Sequence, residues 1–300
     1  MAKLVEPVRL VAFDLDGTIF PVPLKHVITA RLERALAAAH EQGVVLVAAT
    51  GRPVWMVGET LEAAPWLDWT LSTNGARVVP MKGAPAGAEG FEFPIPRALA
   101  LAMLDLLDPT GATLNAHLHC KSVLKNWDAR PLPEFALKLA DEDPELARAM
   151  AARNPIMDSF GPGMVEETES MADVMRTDPS LRLDKLDVNF QTPEERMYFE
   201  EELTRLGGLE VACVGARDLE ITAAGVTKGV ALDRLCAALG IDERSAVAFG
   251  DSGNDLPMAG RAATFVAMGN ATDEVKAAAD EVCPSVLDDG VAVWLEEHVL

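Results

Sequence analysis

Five short apolar runs punctuate the chain, and each stops at a polar or glycine-rich turn. Arg9 to Phe13 ends at Asp14, Val44 to Ala49 at Thr50-Gly51, and Trp69 to Ser72 ahead of Asn74-Gly75. Ala246 to Phe249 ends at Gly250-Asp251, and Thr264 to Met268 at Gly269-Asn270. Unbroken apolar runs, with no polar residue at every second position, predict strands buried on both faces of a parallel sheet. Helical stretches lie between them. Val27 to Gln42 is stopped by Gly43, and Val230 to Leu239 by Gly240; the second places Leu232, Leu235, Cys236 and Leu239 at i, i+3, i+4 and i+7. Strand and helix in alternation predict an α/β fold, a Rossmann-like doubly wound parallel sheet. Ligands of such sheets bind beyond the carboxyl ends of the strands, and all five turns fall on that edge.

The middle of the chain loses this rhythm. Lys82 to Gly90 is rich in Gly, Pro and Ala and reads as a linker. Beyond it, Leu183 to Phe190 alternates like a half-exposed strand, Leu219 to Thr222 reads as another, and Pro193 to Leu206 as a helix. The expected organisation is a core of residues 1–82 and 224–300, with 83–223 inserted as a separate α+β domain.

Composition narrows the partners. The 300 residues carry 26 Lys+Arg against 47 Asp+Glu, a formal net charge of −21, with no basic stripe. Such a chain is repelled by nucleic-acid backbones and anionic lipid, so neither is an expected partner. No apolar run reaches the roughly 18 residues of a membrane span. Met1 to Glu6 lacks the basic-then-apolar order of a leader, and Cys120, Cys213, Cys236 and Cys283 are too far apart for a disulfide framework; both point to a cytoplasmic, reduced protein. Whether it is a monomer or a homo-oligomer is left open by the sequence.

The turns carry the chemistry. Asp14-Leu15-Asp16-Gly17-Thr18 puts two carboxylates at i and i+2 after the first strand, where side chains two apart share a face. Taken alone they also read as surface acids at a strand-to-helix turn. A calcium loop would need Glu at its twelfth position, where Lys25 stands. Thr50-Gly51-Arg52 ends the second strand. Lys228 opens a helix behind Thr227, a suitable N-cap. Gly250-Asp251-Ser252-Gly253-Asn254-Asp255 ends the fourth strand. Its first four residues echo the serine segment of trypsin-like proteases, but those are disulfide-bearing β-barrels, whereas the setting here is strand, turn and helix. His117, His119 and Cys120 could start a soft-metal cluster, yet no second cluster completes four ligands. They read as alternating polar residues of a strand, or as the lining of a substrate entrance with Lys121, Lys125, Asn126 and Trp127.

In this order, the four turn motifs resemble those of the haloacid dehalogenase superfamily. The flanking AATGRP, STNGA, VTKGVAL, AFGDSGND, VAMGNA and CPSVLDDGVA resemble its Cof-like phosphatase branch, in which a large cap is inserted after the second motif. The resemblance implies a phosphatase acting on small phosphorylated metabolites, either sugar phosphates or cofactor precursors such as flavin intermediates and pyridoxal phosphate. A phosphomutase, or a phosphate-ester sensor that has lost activity, are the alternatives. It gives Asp14 the role of nucleophile, forming an aspartyl-phosphate, and Asp16 that of acid and then base, with its proton kept by a neighbouring carboxylate. Asp14, the backbone carbonyl of Asp16, and Asp251 would hold Mg²⁺, with Asp255 in support; oxygen-only ligands suit that hard cation. Thr50, Lys228 and Asn254 would grip the phosphoryl oxygens. Arg52 is expected to be an ion-pair partner, and Asn74 and Asn270 turn or cap residues. Arg52 and Asn74 are also kept, with His117, His119 and Lys121, as secondary candidates for contact with substrate.

Overall fold

The computed structural model describes residues 7–21, 27–127 and 163–300; Met1–Glu6 and Lys25, weighed above, lie outside them. Fourteen strands are described. In chain order they are β1 (Leu10–Phe13), β2 (Val45–Ala49), β3 (Trp69–Ser72), β4 (Arg77–Pro80), β5 (Phe91–Glu92), β6 (Thr113–Leu118), β7 (Ser122–Lys125) and β8 (Val165–Glu167). They continue with β9 (Leu183–Asn189), β10 (Leu209–Cys213), β11 (Asp218–Ala223), β12 (Ala246–Gly250), β13 (Thr264–Ala267) and β14 (Glu281–Val282). The chain divides into two units, one running to Phe93 and resuming at Gly225, the other Pro94–Ala224.

The first unit is an eight-stranded sheet in the order β14-β13-β12-β1-β2-β3-β4-β5. From β14 to β3 the strands are parallel; β4 and β5 are added antiparallel at one edge. Every residue of β1, β3, β12 and β13 is buried, which explains why these strands read as continuous apolar runs. The chain moves from β1 outward through β2 and β3, and later returns to β12 on the other side of β1. The strand order therefore reverses between β1 and β12, and the crevice at such a reversal is where doubly wound sheets bind ligands. Asp14 and Asp251 are the residues that leave these two strands.

Two helices are fixed by their caps: Thr227 and Gly240 are those expected, while the first helix starts after its Thr29 cap instead of at Val27. The Ala30–Glu41 helix starts where Thr29 Oγ1 accepts the Leu32 N–H at 3.1 Å. The Lys228–Leu239 helix starts where Thr227 Oγ1 accepts the Val230 N–H at 3.2 Å, and stops at Gly240 in the left-handed conformation.

One expectation is corrected. The Gly/Pro/Ala-rich stretch is not a link between domains. Phe91–Glu92 pairs back onto β4, and the Phe93 N–H donates to Ala76 O at 2.7 Å, so the stretch is a loop within the first sheet. The division consequently falls after Phe93 rather than after residue 82.

The second unit is an α+β domain whose six strands are ordered β10-β11-β9-β6-β7-β8. The Pro193–Leu206 helix and the β9 and β11 strands fall where the sequence placed them. The registers put Leu114, Ala116, Leu186, Val188, Leu219 and Ile221 on one face, all buried. Asn115, His117, Lys185, Asp187 and Glu220 share the other. This alternation is what separates a sheet that is antiparallel from β10 to β7, with one apolar face, from the doubly buried sheet of the first unit.

Candidate active site

The site grows from the loop that leaves β1. The Asp14 N–H donates to Phe249 O at 3.1 Å, which ties the start of the loop to β12. The loop then folds tightly: the Phe20 and Gly17 backbones pair, and Gly17 turns at φ +81°. A Cβ on Gly17 would sit 2.3 Å from Asp251 Oδ2, so only glycine lets the two motif loops meet. Thr18 Oγ1 reaches Asp251 Oδ1 at 3.4 Å, and Asn270 Nδ2 donates to Gly17 O at 2.8 Å while its Oδ1 accepts the Val286 N–H. Asn270, expected as a cap, is thus a strut between the β1 loop and the segment after β14.

Lys228 is the hub. Its side chain is fully buried, with Nζ donating to Asp14 Oδ1 at 2.8 Å and to Asp255 Oδ1 at 2.7 Å. Asp255 is equally buried and uses its other oxygen to accept the Asp251 and Ser252 N–H groups at 2.9 and 3.1 Å. Asp255 is therefore saturated, and what it does is orient its neighbours. Carboxylate oxygens of Asp14, Asp251 and Asp255 lie within 4.8 Å of one another, the grouping of metal-type ligand atoms found among the described residues.

The electrostatics are unbalanced. Burial, more than anything else, pushes the Asp14 carboxyl up to about 7; Asp255 and Asp16 add to this, and Lys228 opposes it. Burial and repulsion from Asp14 and Asp255 push Asp251 up to about 8. Burial pulls on the Lys228 ammonium too, but Asp14 and Asp255 outweigh it and raise its pKa. Three close carboxylates against a single ammonium leave an acid excess with oxygen-only donors, which fits a hard divalent cation. When bound, such a cation would supply the positive charge that lets Asp14 and Asp251 ionise together beside an anionic ligand.

Asp16 lies close enough to the Asp14 carboxylate to raise it, and its hydrogen-bonding partner is a cation: Arg52 Nε donates to Asp16 Oδ2 at 2.7 Å and Nη2 to Oδ1 at 2.5 Å. Arg52 also donates to Met56 O at 3.0 Å and lies over the Phe20 ring, so its ion-pair role is the one found. Thr50 is buried, and its Oγ1 accepts the Arg52 N–H. Asn254 Nδ2 donates to Asn74 Oδ1 at 3.3 Å, and Asn254 Oδ1 accepts from Ser252 Oγ at 2.8 Å.

His117, His119 and Lys121 lie in the second unit. His117 is buried between Ser122 Oγ at 2.9 Å and Asp187 Oδ2 at 2.7 Å, which accounts for it without a metal. Lys121 pairs with Glu166 at 2.6 Å, and His119 is half-buried beside it in the chain. Lys125, named with them, is buried against Asp108. The sequence missed Asp187, Glu166 and Asp108 because they are 17 to 70 residues from their partners, and Ser122 because it meets His117 across the pairing of β6 with β7.

The fold, the reversal point and the four turn motifs around it define a class, the haloacid dehalogenase-like hydrolases. A model of that family matches residues 11–127 and 164–295, and the chain belongs to it, in the Cof-like branch with its inserted cap. The enzyme class is phosphoric monoester hydrolase. A 5-amino-6-(5-phospho-D-ribitylamino)uracil phosphatase of Bacillus subtilis is 24% identical, covering 98% of this chain and 96% of its own. A pyridoxal phosphate phosphatase of Escherichia coli is 27% identical, covering 97% and 99%. A solved haloacid dehalogenase-like hydrolase from B. subtilis shares the fold with a TM-score of 0.79 at 24% identity, over 98% of this chain and all of its own.

Proposed function

We propose that this protein is a Mg²⁺-dependent phosphatase of small phosphorylated metabolites, with Asp14 as nucleophile. The observation that carries the reading is the Lys228 ammonium, 2.8 Å from Asp14 and walled in by Asp255 and Asp251. A carboxylate attacks a phosphate dianion only where cationic charge screens the pair and the transferring group is held. Asp14 and Asp251, with the carbonyl of Asp16, would hold Mg²⁺, whose charge screens nucleophile and phosphoryl group from each other. Lys228, Thr50 and Asn254 would hold the phosphoryl oxygens.

In the first step an Asp14 oxygen bonds to phosphorus, the ester P–O bond breaks, and Asp16 passes its proton to the departing alkoxide. In the second, Asp16 takes a proton from water, the hydroxide oxygen bonds to phosphorus, and the bond to Asp14 breaks, freeing orthophosphate and the carboxylate. At each transfer Asp16 must exchange one of its two bonds to Arg52 for one to the reacting oxygen.

The substrates to test first are those of the relatives, the phosphorylated flavin intermediate and pyridoxal phosphate, alongside sugar phosphates. The reading places the protein in the cytoplasm, in keeping with four separate thiols; among the described residues no helix is long and apolar enough to cross a membrane. The test is turnover of p-nitrophenyl phosphate with Mg²⁺. EDTA should abolish it, and Asp14→Asn should lower kcat by about 10³-fold or more. Turnover that survives Asp14→Asn rejects the assignment, and phosphoryl delivered to a second sugar hydroxyl instead of water makes the protein a mutase.

A further inference from the structure

Three residues in succession after β3, Thr73, Asn74 and Gly75, have positive φ values of 49°, 57° and 91°. Only the third is glycine, and the first is β-branched, so this turn is strained. Strain of this kind persists only where the surroundings over-determine it, and they do. The Thr73 N–H donates to Arg52 O at 2.9 Å and the Asn74 N–H to Thr50 O at 3.0 Å. Gly75 is pressed so closely to the start of the Lys228 helix that a Cβ would lie 2.7 Å from Thr227 O and 2.6 Å from the Ala231 methyl. Asn74 itself is buried. The turn therefore touches the Thr50 loop through its backbone and the Lys228 helix through Gly75.

The Asn74 side chain adds the remaining motif. Its Oδ1 accepts from Asn254 Nδ2, while Ser252 Oγ donates to the opposite end of the same amide. An amide NH₂ carries two hydrogens at fixed angles, so directing one of them fixes the direction of the other. With a donor on its oxygen and an acceptor on its nitrogen, the Asn254 amide has a single plane and a single flip.

We propose that Asn74 is a positioning residue that aims the Asn254 amide at the phosphoryl oxygens, the strained turn being what brings its carbonyl there. The proposal rests on the phosphatase reading, in which Asn254 grips phosphate. It goes beyond that reading by giving the left-handed turn a task that no turn or cap requires.

Asn74→Gly separates side chain from backbone, because glycine accepts the left-handed conformation and keeps the N–H that holds Thr50. Turnover of p-nitrophenyl phosphate should fall about 10- to 100-fold, the usual scale for loss of a residue that orients a ligand-binding group. The thermal midpoint should stay level or rise. A residue acting through Asn254 must lose its effect once Asn254 is gone, so adding Asn74→Gly to Asn254→Ala should cost less than about 3-fold more. An Asn74→Gly protein within 2-fold of wild type, or losses that multiply in the double variant, would overturn the proposal. Asp14→Asn is assayed beside them. If it stays active the phosphatase reading itself is wrong, whereas an inactive Asp14→Asn with a fully active Asn74→Gly sinks the Asn74 proposal alone.

Discussion

Each unit of this protein buries one lysine between two carboxylates, and the two clusters differ in what completes them. In the first unit, Lys228 is 2.8 Å from Asp14 and 2.7 Å from Asp255. In the second, Lys185, 2% exposed, is 2.8 Å from both Asp187 and Glu220. Around Lys228 the next group is another acid, Asp251, and the carboxyls of Asp14 and Asp251 are pushed up to about 7 and about 8. Around Lys185 the next group is an imidazole, His117, 2.7 Å from Asp187. Burial presses the Asp187 carboxyl upward, but Lys185 and His117 together outweigh it and bring it down to about 2. Unpaired buried charge is costly, so three carboxylates around one ammonium fit a further cation, whereas the two acids around Lys185 are held by that ammonium and by the His117 ring. The first is the candidate site; the second ties β9 to its neighbours in the sheet.

Removing the two lysines in turn should have the largest and most unequal effects. Lys228→Met strands fully buried carboxylates and should cost about 3–5 kcal/mol in metal-free protein, with turnover lost as well. Lys185→Met leaves Asp187 with His117 and, at 31% exposure, with some water; the cost should be about 1–3 kcal/mol. Peptide-resolved hydrogen exchange assigns each loss, to Leu10–Phe13 and Ala246–Gly250 in one case and to Leu183–Asn189 in the other. Equal losses, or loss of Mg²⁺ response in Lys185→Met, would erase the distinction.

The acid excess also predicts how Mg²⁺ acts with pH. Carboxyls raised in the folded state contribute stability that is present below their unfolded value near 4 and is lost as pH rises through about 7 to 8 for Asp14 and Asp251. Mg²⁺ bound there would remove that loss by replacing the protons. At 100 times its dissociation constant it should stabilise by about 2.7 kcal/mol. At a fixed concentration the rise in thermal midpoint should therefore be larger at pH 8 than at pH 6. A rise independent of pH would mean the ion binds elsewhere.

The parts of this picture that could be read in sequence are those fixed by local physics. β1, β3, β12 and β13 are buried on both faces and so appear as bare apolar runs; Thr227 and Gly240 mark helix ends by capping. β5 and β14, two residues each, are too short to show a period, and the composition of 83–90 gives no sign that the chain returns to β4. Asp14 and Asp251 could be singled out as acids just beyond strand ends and Lys228 as a cation at a capped helix start, and the structure brings the three together. The Arg52 pair on Asp16 spans 36 positions and the Asn254 bond to Asn74 spans 180, and side-chain partners at such separations leave no local pattern. Asn74-Gly75 reads as an ordinary turn for the same reason: its function lies in what it touches.

The finest division between the clusters is the sign of their response to acid. Asp187 is held near 2 in the folded protein against about 3.9 unfolded, so its contribution is in place above pH 4 and disappears as pH falls toward 2. Holding a carboxyl roughly two pH units below its ordinary value is worth about 2.7 kcal/mol, and partial exposure brings the expected contribution nearer to about 1–2 kcal/mol. Asp187→Asn keeps one accepting oxygen, turns the other into a donor and removes the charge, so it should lower protection of Leu183–Asn189 by at least that amount at pH 5. The gap to wild type should close as pH is lowered toward 2, because wild-type Asp187 is itself then neutral. The Asp14–Asp251 cluster runs the other way and in another window, gaining from protonation as pH falls from about 8 toward 4. If the gap between Asp187→Asn and wild type stays constant from pH 5 to 2, the Lys185 cluster is held by packing and hydrogen bonds alone, and charge balance is not what separates it from the site around Lys228.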